Sequence, residues 1–299
     1  MEWITSIRKA IDYMEQHLLT IKDADEVAEA VYMSPYYLQK GFKVMTGYSI
    51  AEYIRNRRLY LAALDMIAGK EKIINLAYKY GYDTPESFTK AFSRFHGVTP
   101  TGLRKDAGRM KVFLPLKVTI HIRGGNDMDY TVERMKGFKV IGFEREFSME
   151  TSYQEIPKFW DEICQSKISP LCAKGKPENE EEEMICNCCI GKYGVCLDDI
   201  GGGRFRYLIA GDYMHGNVPA GMTVFEFPDM EWAKFTCKGP MPGALQSVNT
   251  KIFNEWLPGN EEYEIAMGAN IEWYSAEGNT SDADYESAIW LPVKRKRDE

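Results

Sequence analysis

A carboxylate stands among aromatic residues near the C-terminal end of the chain, in the run Ile271-Glu272-Trp273-Tyr274. Side chains of a β-strand alternate between the two faces of the sheet, so Glu272 and Tyr274 would share one face. Ile271 and Trp273 would share the other. A carboxylate beside aromatic rings can bind an organic cation by charge pairing and cation–π contact. The alternative is that Glu272 is an exposed strand residue and the rings belong to the core, and the run alone leaves both interpretations open.

Four of the seven cysteines form a second group with potential chemistry: Cys186, Cys188, Cys189 and Cys196. The group lacks the paired Cys-x-x-Cys spacing of a structural zinc site, so we predict neither a metal nor a cofactor. An odd number of clustered cysteines also argues against a disulfide framework. On a strand, Cys186 and Cys188 would share one face and Cys189 the other, as small buried hydrophobic residues. A redox sensor is the alternative, but nothing in the sequence indicates lowered thiol pKa values.

The N-terminal third contains one supersecondary unit twice, at an offset of about fifty residues. Equivalent positions after the turn are Leu38 and Phe88, Phe42 and Phe92, Gly47 and Gly97, and Ser49 and Thr99. Each copy predicts a helix, a short turn and a second helix. Ser34-Pro35 and Asp83-Thr84-Pro85 supply the N-cap and the first-turn proline of the second helices. A long amphipathic helix over residues 49–67 joins the two copies.

The remainder of the chain is predicted to contain both strands and helices. Residues 108–127 are interpreted as a linker with some strand character, which Gly124-Gly125-Asn126 interrupt. Amphipathic helices are predicted over 153–166 and 242–256, and strand-like runs, including 184–199, lie on both sides of each. This order predicts a pseudo-duplicated strand-helix-strand α+β domain.

Charge is distributed unevenly along the chain. Residues 1–110 hold 16 basic and 13 acidic residues, whereas the remainder holds 21 basic and 31 acidic residues. The mildly basic N-terminal third is typical of a nucleic-acid module joined to a domain with a different task. No apolar run is long enough to span a bilayer, and the N-terminus lacks the pattern of a signal peptide, so we expect a cytoplasmic protein without a membrane partner.

Residues 28–104 resemble the DNA-binding domain of the AraC/XylS regulators, in particular the Rob-like branch. The resemblance rests on "MSPYYLQKGFKVMTGYSIAEYIRNRRL" and "IINLAYKYGYDTPESFTKAFSRFHGVTPTGLRK". It implies that the second helix of each unit enters a major groove, with the two grooves on successive turns of one DNA face. The outward faces are expected to contact DNA through Tyr36, Gln39, Lys40 and Lys43 in the first recognition helix and through Glu86, Ser87, Thr89, Lys90 and Arg94 in the second. The resemblance places Gln39, Lys40, Thr89 and Lys90 at positions that read base edges. Among the three arginines of the joining helix, Arg55 is expected to face the phosphates. The alternative for the isolated basic residues is a solvated helix face.

Residues 130–293 resemble the GyrI-like effector-binding domain, on "FWDEI", "YGVCLDD", "FRYLIAG", "NIEWY" and "YESAIWLPV". The resemblance implies multidrug sensing, with an acid in a concave aromatic pocket. Glu272 matches the acid of that pocket, Tyr274 is expected on the same strand face, and Trp290, Trp160 and Tyr207 are candidate walls.

We therefore predict an all-α double helix-turn-helix DNA-binding domain over residues 1–107, a linker over 108–127 and an α+β GyrI-like effector-binding domain over 128–295. The predicted function is a transcription regulator that binds promoter DNA and senses a small cationic or aromatic molecule, with RNA polymerase as a further partner. A small-molecule hydrolase or a drug-sequestering protein is the alternative, although no paired acid and base favours an enzyme. Because two recognition helices let one chain cover its site, a monomer or weak dimer is expected.

Overall fold

The computed structural model describes residues 2–69, 71–118, 128–198 and 200–296. The N-terminal part is helical, with α1 (Glu2–Gln16), α2 (Ala24–Ala30), α3 (Pro35–Thr46), α4 (Ile50–Ala68), α5 (Ile73–Lys79), α6 (Pro85–His96) and α7 (Pro100–Lys105). Helices α2 and α3 form the first helix-turn-helix unit, and α5 and α6 form the second. The predicted double helix-turn-helix is confirmed, with α4 as the joining helix.

Both recognition helices, α3 and α6, begin and end in the same way. Ser34 and Thr84 accept backbone N–H bonds as N-caps, and a proline follows each of them. Gly47 and Gly97 end the helices in the left-handed region, with φ of 79° and 71°. A residue with a Cβ adopts this conformation only at a cost, so glycine sets the two helix ends.

The C-terminal part is one antiparallel sheet with helices. Its strands are β1 (Tyr130–Met135), β2 (Phe138–Ser148), β3 (Tyr193–Leu197), β4 (Arg204–Tyr213), β5 (Met222–Phe227), β6 (Met230–Lys238), β7 (Tyr263–Ile265), β8 (Ala269–Tyr274) and β9 (Glu286–Arg295). Its helices are α8 (Ser152–Ile163), α9 (Ser169–Lys174), α10 (Glu180–Asn187), α11 (Gly243–Lys251) and α12 (Leu257–Gly259). A π-helical turn follows α8, and another follows α11.

The strand order confirms the predicted pseudo-duplication. Strands follow one another as β1-β6-β9-β8-β3-β4-β2-β5, and β7 pairs with β9. The half β2-α8-β3-β4 therefore mirrors the half β6-α11-β8-β9, and the two halves meet where β8 pairs with β3. The strand that carries Glu272 thus lies at the centre of the sheet.

The two helix-turn-helix units differ in where their apolar residues are buried. Side chains of the first unit, such as Tyr37 and Phe42, belong to one continuous core with the sheet domain, which contributes Phe253 among others. The second unit has a separate core around Phe88 and Phe92. The first unit is therefore packed against the sheet domain, whereas the core of the second unit contains no sheet residue among those that the structure describes.

Two sequence-based assignments are wrong. Residues 184–187, predicted as strand, form the end of α10, and β3 begins only at Tyr193, because the four glutamates at 180–183 favour a helix N-terminus. The linker forms no strand over residues 111–118, where Val112 and Leu114 are exposed. Gly124-Gly125-Asn126 lie outside the described residues.

Candidate effector and DNA-binding sites

The carboxylate of Glu272 lies at the centre of a hydrogen-bonded aromatic group. Its Oε2 accepts from the hydroxyl of Tyr207 at 3.0 Å and from the hydroxyl of Tyr274 at 2.9 Å. Trp160 extends the chain, since its Nε1 donates to the Tyr207 hydroxyl at 2.8 Å. The Trp160 and Tyr274 rings meet edge to face, with centroids 5.2 Å apart. The structure thus brings together four of the five residues expected at the effector site.

Gly194 allows this arrangement. It lies directly opposite Glu272 in the β3–β8 register. Tyr207 lies opposite Cys196, which is two residues further along β3. The Tyr207 hydroxyl reaches Glu272 by crossing over Gly194, where a Cβ would be 2.1 Å from that hydroxyl oxygen. Glycine is therefore required at position 194 for the Tyr207 contact.

The surroundings of the two tyrosines favour the protonated form of their hydroxyls. Burial, and then the charge of Glu272, raise the pKa of Tyr207 and of Tyr274 well above the usual value for tyrosine. Both hydroxyls therefore remain protonated and donate to Glu272. A carboxylate that accepts two hydroxyl hydrogen bonds among aromatic rings is suited to a cationic ligand.

Trp290 was wrongly assigned to this site. In the β8–β9 register it lies opposite Ile271, while Glu272 lies opposite Ile289. Because side chains alternate, Trp290 points to the other face of the sheet, where its centroid is 4.0 Å from the Lys234 ammonium. Sequence position alone does not fix the register between two strands, and here the register excludes Trp290.

The first recognition helix is covered by the sheet domain. Tyr36 and Gln39, expected on its DNA-facing side, retain only 3% and 8% of their accessible surface. The Tyr36 hydroxyl donates to the side chain of Asn270, and the Tyr37 hydroxyl donates to the Ala269 carbonyl. Tyr36 and Gln39 are turned towards the sheet domain and are not accessible to DNA in this arrangement.

Two lysines of α3 also contact the sheet domain. Lys40 Nζ donates to the Tyr36 hydroxyl at 3.0 Å and to Asn270 Oδ1 at 3.4 Å. Lys43 Nζ donates to the Glu150 carbonyl at 3.2 Å and lies 5.5 Å from the centre of the Tyr153 ring. Burial lowers the pKa of Lys40, although the charge of Glu272 opposes this shift.

The N-terminus of α3 is held by an acid of the sheet domain. Asp198 Oδ2 accepts from Ser34 Oγ at 2.8 Å and from the backbone N–H of Tyr36 at 2.6 Å. Asp25 of the preceding helix accepts from the Gly202 backbone N–H. A carboxylate at a helix N-terminus interacts favourably with the helix dipole, so Asp198 stabilises the docked position of α3.

The second recognition helix is accessible. Thr89 is half-buried, and the other residues assigned to DNA in α6 are exposed: Glu86, Ser87, Lys90 and Arg94. Their exposure leaves this face of α6 accessible to another macromolecule. Their contact with DNA stays a prediction.

The three arginines of α4 have different environments. Arg57 forms a buried ion pair with Glu15 at 2.7 Å. Arg58 donates to the carbonyls of Leu18 and Ile21. Arg55 is exposed, which agrees with its choice as the DNA-facing arginine of this turn.

The cysteine cluster is divided between two environments. Cys188 and Cys196 are buried. Cys186 is exposed in the last turn of α10 and Cys189 is exposed in the α10–β3 connection, so neither lies on a strand as predicted. Burial, followed by the charge of Glu272, raises the pKa of Cys196 to about 12. Within the described residues, no group of His, Cys, Asp or Glu is arranged to hold a metal ion.

Several residues near the acid were not predicted. Asn270 and Cys196 lie on the same sheet face as Glu272. Burial, followed by the charge of Glu272, raises the pKa of Tyr153 of α8 to about 12. Strand alternation was the available signal for Asn270, because it precedes Glu272 by two residues. Cys196 required the β3–β8 register, which the sequence does not provide.

Comparison with known proteins agrees with this two-part organisation. Residues 131–293 match the family of integron-associated effector binding proteins, Cass2, and residues 27–106 match a helix-turn-helix domain family. The chain is 33% identical over 98 residues to the regulatory protein SoxS of Salmonella typhimurium, covering 33% of this chain and 92% of SoxS. The chain belongs to the AraC-type regulators and carries a Cass2 effector-binding domain. Further relatives of this AraC-type regulator include the Transposon Tn10 TetD protein of Escherichia coli, 35% identical over 102 residues, 34% of this chain and 74% of TetD.

The Cass2 domain also has similar solved structures. One is that of SAV2435 bound to tetraphenylphosphonium, at 21% identity and a TM-score of 0.45, covering 56% of this chain and 94% of that chain. None of the helices in the described ranges is long and apolar enough to cross a membrane.

Proposed function

We propose that this AraC-type chain is a transcription regulator that binds promoter DNA and responds to a lipophilic organic cation at Glu272. The observation that carries the ligand class is the Glu272 carboxylate, with two tyrosine hydroxyls on one oxygen and the Trp160 and Tyr274 rings beside it. A flat or ring-bearing cation gains from such a site both charge pairing and cation–π contact, whereas an anion would be repelled.

The DNA half of the proposal rests on the exposed face of α6 and on the AraC-type motif. Lys90 and Arg94 supply positive charge on that face, while Ser87 and Thr89 supply neutral hydrogen-bonding groups. Such a mixture suits phosphate contacts together with base contacts in a major groove. We further propose that the protein works in the cytoplasm with RNA polymerase, as a monomer or weak dimer.

The ligand half is tested by calorimetric titration of the full chain with tetraphenylphosphonium, a lipophilic cation with four aromatic rings. Glu272→Gln should weaken binding by roughly tenfold or more, because a charge-assisted contact in a desolvated site contributes about 1.5–3 kcal/mol. Glu277→Gln, which removes an exposed carboxylate of the same domain, is the matched control and should bind as the wild type does.

Equal binding by the two variants would show that Glu272 does not hold the cation. Turnover of an electrophilic small molecule that is lost in Glu272→Gln would instead support a hydrolase.

The DNA half is tested by selection from a genomic fragment library at several salt concentrations. Enrichment of a sequence, with affinity that falls steeply as salt rises, is the expected result. No enrichment in any condition would contradict the regulator.

A further inference from the structure

The contact between α3 and the sheet domain lies on the same sheet face as the proposed cation site. Asn270, which meets Tyr36 and Lys40, is two residues from Glu272 on β8, and both side chains point to one face. Cys196, directly opposite Asn270, is buried beneath the helix. The first recognition helix therefore covers the face on which a ligand would bind.

The group that α3 brings to this face is itself a cation among aromatic rings. The Lys40 ammonium lies 5.2 Å from the centre of the Tyr36 ring and 5.8 Å from that of Phe253. Its hydrogen-bond acceptors there are neutral, namely a hydroxyl and an amide oxygen, and the Glu272 carboxylate lies on the same sheet face, two residues from Asn270. Chemically, Lys40 has the features that the proposed function requires of the effector.

The same position is incompatible with groove binding by α3. Tyr36 and Gln39 are buried, and the N-terminus of α3, which in a helix-turn-helix points at base edges, is hydrogen-bonded to Asp198. A DNA duplex cannot contact this end of the helix while the sheet domain covers it.

We propose that α3 is an internal ligand of the effector site, with Lys40 as its resident cation, and that an organic cation and DNA act together by displacing it. The inference rests on the proposed function and adds the mechanism that links its two halves. An external cation takes the place of Lys40 near Glu272, α3 leaves the sheet, and both recognition helices become available. Linkage requires the reverse effect as well, so bound DNA strengthens cation binding by the same factor.

A disulfide tests whether α3 must leave the sheet for DNA to bind. The Cβ of a residue at 268 would lie 2.9 Å from Ser34 Oγ, which suits a bridge between Ser34→Cys and Gly268→Cys. The oxidised full chain should bind DNA roughly 5- to 150-fold more weakly than the same chain after reduction, the usual range for coupled sites. Each single variant under the same oxidation is the control, because Cys172, Cys186 and Cys189 are exposed natively. Equal DNA affinity of the oxidised and reduced forms would overturn the proposal.

A second variant weakens docking without changing the DNA-facing residues or the acid. Asp198→Ala removes the carboxylate that holds Ser34 and the Tyr36 N–H. It should increase DNA affinity in the absence of ligand, and it should increase alkylation of the buried Cys196, followed by mass spectrometry. Tetraphenylphosphonium should increase DNA affinity in the wild type, more weakly in Asp198→Ala, and not in Glu272→Gln.

The outcomes separate this inference from the proposed function. Sequence-specific DNA binding of equal strength in wild type, in Asp198→Ala and with the cation would leave the regulator standing and refute the internal ligand. Loss of Cys196 protection in Asp198→Ala, with no DNA binding by any form, would support the docking while it refutes DNA binding as the function.

Discussion

Two recognition helices of equal length, with the same caps and the same terminal glycines, have opposite surroundings in this molecule. Helix α3 is buried against the sheet domain, and α6 is exposed. Their outer faces differ in composition at the first turn, where α3 carries Tyr36 and Tyr37 and α6 carries Glu86 and Ser87. Aromatic side chains gain from burial, whereas a glutamate does not, so the same motif is covered in one unit and left open in the other.

The ionic contacts of α4 show the same difference. Towards the first unit, α4 is joined to α1 by Arg57 and Glu15, whose side chains are 6% and 21% exposed. Towards the second unit it is joined to α5 by Asp65 and Lys79, at 36% and 48%. The first contact is part of a core and the second lies in solvent, so the two should respond differently to substitution.

The largest expected effect comes from breaking the buried contact. Arg57→Ala should lower the free energy of unfolding by about 3–5 kcal/mol, because the largely buried Glu15 carboxylate loses its ion-pair partner. Denaturant titration measures this loss. Arg55 lies in the same turn of α4 but is exposed, so Arg55→Ala should change stability by no more than about 0.5 kcal/mol. Similar losses in the two variants would mean that the ion pair does not stabilise the first unit.

The next effect concerns DNA affinity through the open helix. Lys90→Ala together with Arg94→Ala should weaken binding by about 2 kcal/mol, roughly 30-fold, and should make the salt dependence shallower by about two phosphate contacts. Fluorescence anisotropy at several salt concentrations measures both. Lys238→Ala, exposed on the sheet domain, is the control. If the dependence of DNA affinity on salt concentration were unchanged, Lys90 and Arg94 would not contact the phosphates.

A matched pair of substitutions compares the helix ends directly. Gly47→Ala and Gly97→Ala should each destabilise the protein by about 1 kcal/mol, since φ is positive at both positions. A Cβ would meet no atom within 4 Å at either site, so the cost is conformational and should be equal in the two units. A clear difference in the measured denaturation midpoints would contradict this equivalence.

The smallest effect is expected at the exposed ionic contact, and it depends on pH. Burial acts to raise the pKa of Asp65, but hydrogen bonds from Lys79 and Tyr80 outweigh it and leave the pKa below its usual value. A lowered pKa means that the stabilisation is present above the unfolded value of about 4 and is lost as pH falls through the folded value. Asp65→Asn should therefore cost less than about 1 kcal/mol at pH 7, and the cost should fall as the pH is lowered below about 4. A cost that persists in acid would indicate a role other than charge pairing.

The elements that local signals define were predictable from the sequence. Caps at Ser34 and Thr84, glycine ends at Gly47 and Gly97, and helical periodicity determine the helix-turn-helix units without reference to the rest of the chain. Alternation likewise predicted that Glu272 and Tyr274 share a face, and the hydrogen bond between them confirms it.

Features that depend on long-range pairing were not predictable. Trp290 and Tyr207 were equally plausible neighbours of Glu272 in the sequence, and only the strand register excludes the first and admits the second over Gly194. The burial of Tyr36 and Gln39 depends on contacts with residues more than 150 positions away. A pattern within one helix indicates which face is turned outward, but it does not indicate what covers that face.

The core that the first unit shares with the sheet has a practical consequence for dividing the chain. A fragment ending at residue 107 would contain both recognition helices but would lose Phe205 and Phe253, against which the Tyr36 and Tyr37 rings pack. Those rings would become a contiguous apolar patch in water, and we expect such a fragment to self-associate and to be poorly soluble. The helical part and the sheet domain are thus distinct as sequence motifs. In the folded chain, however, the first helix-turn-helix unit and the sheet domain share one hydrophobic core.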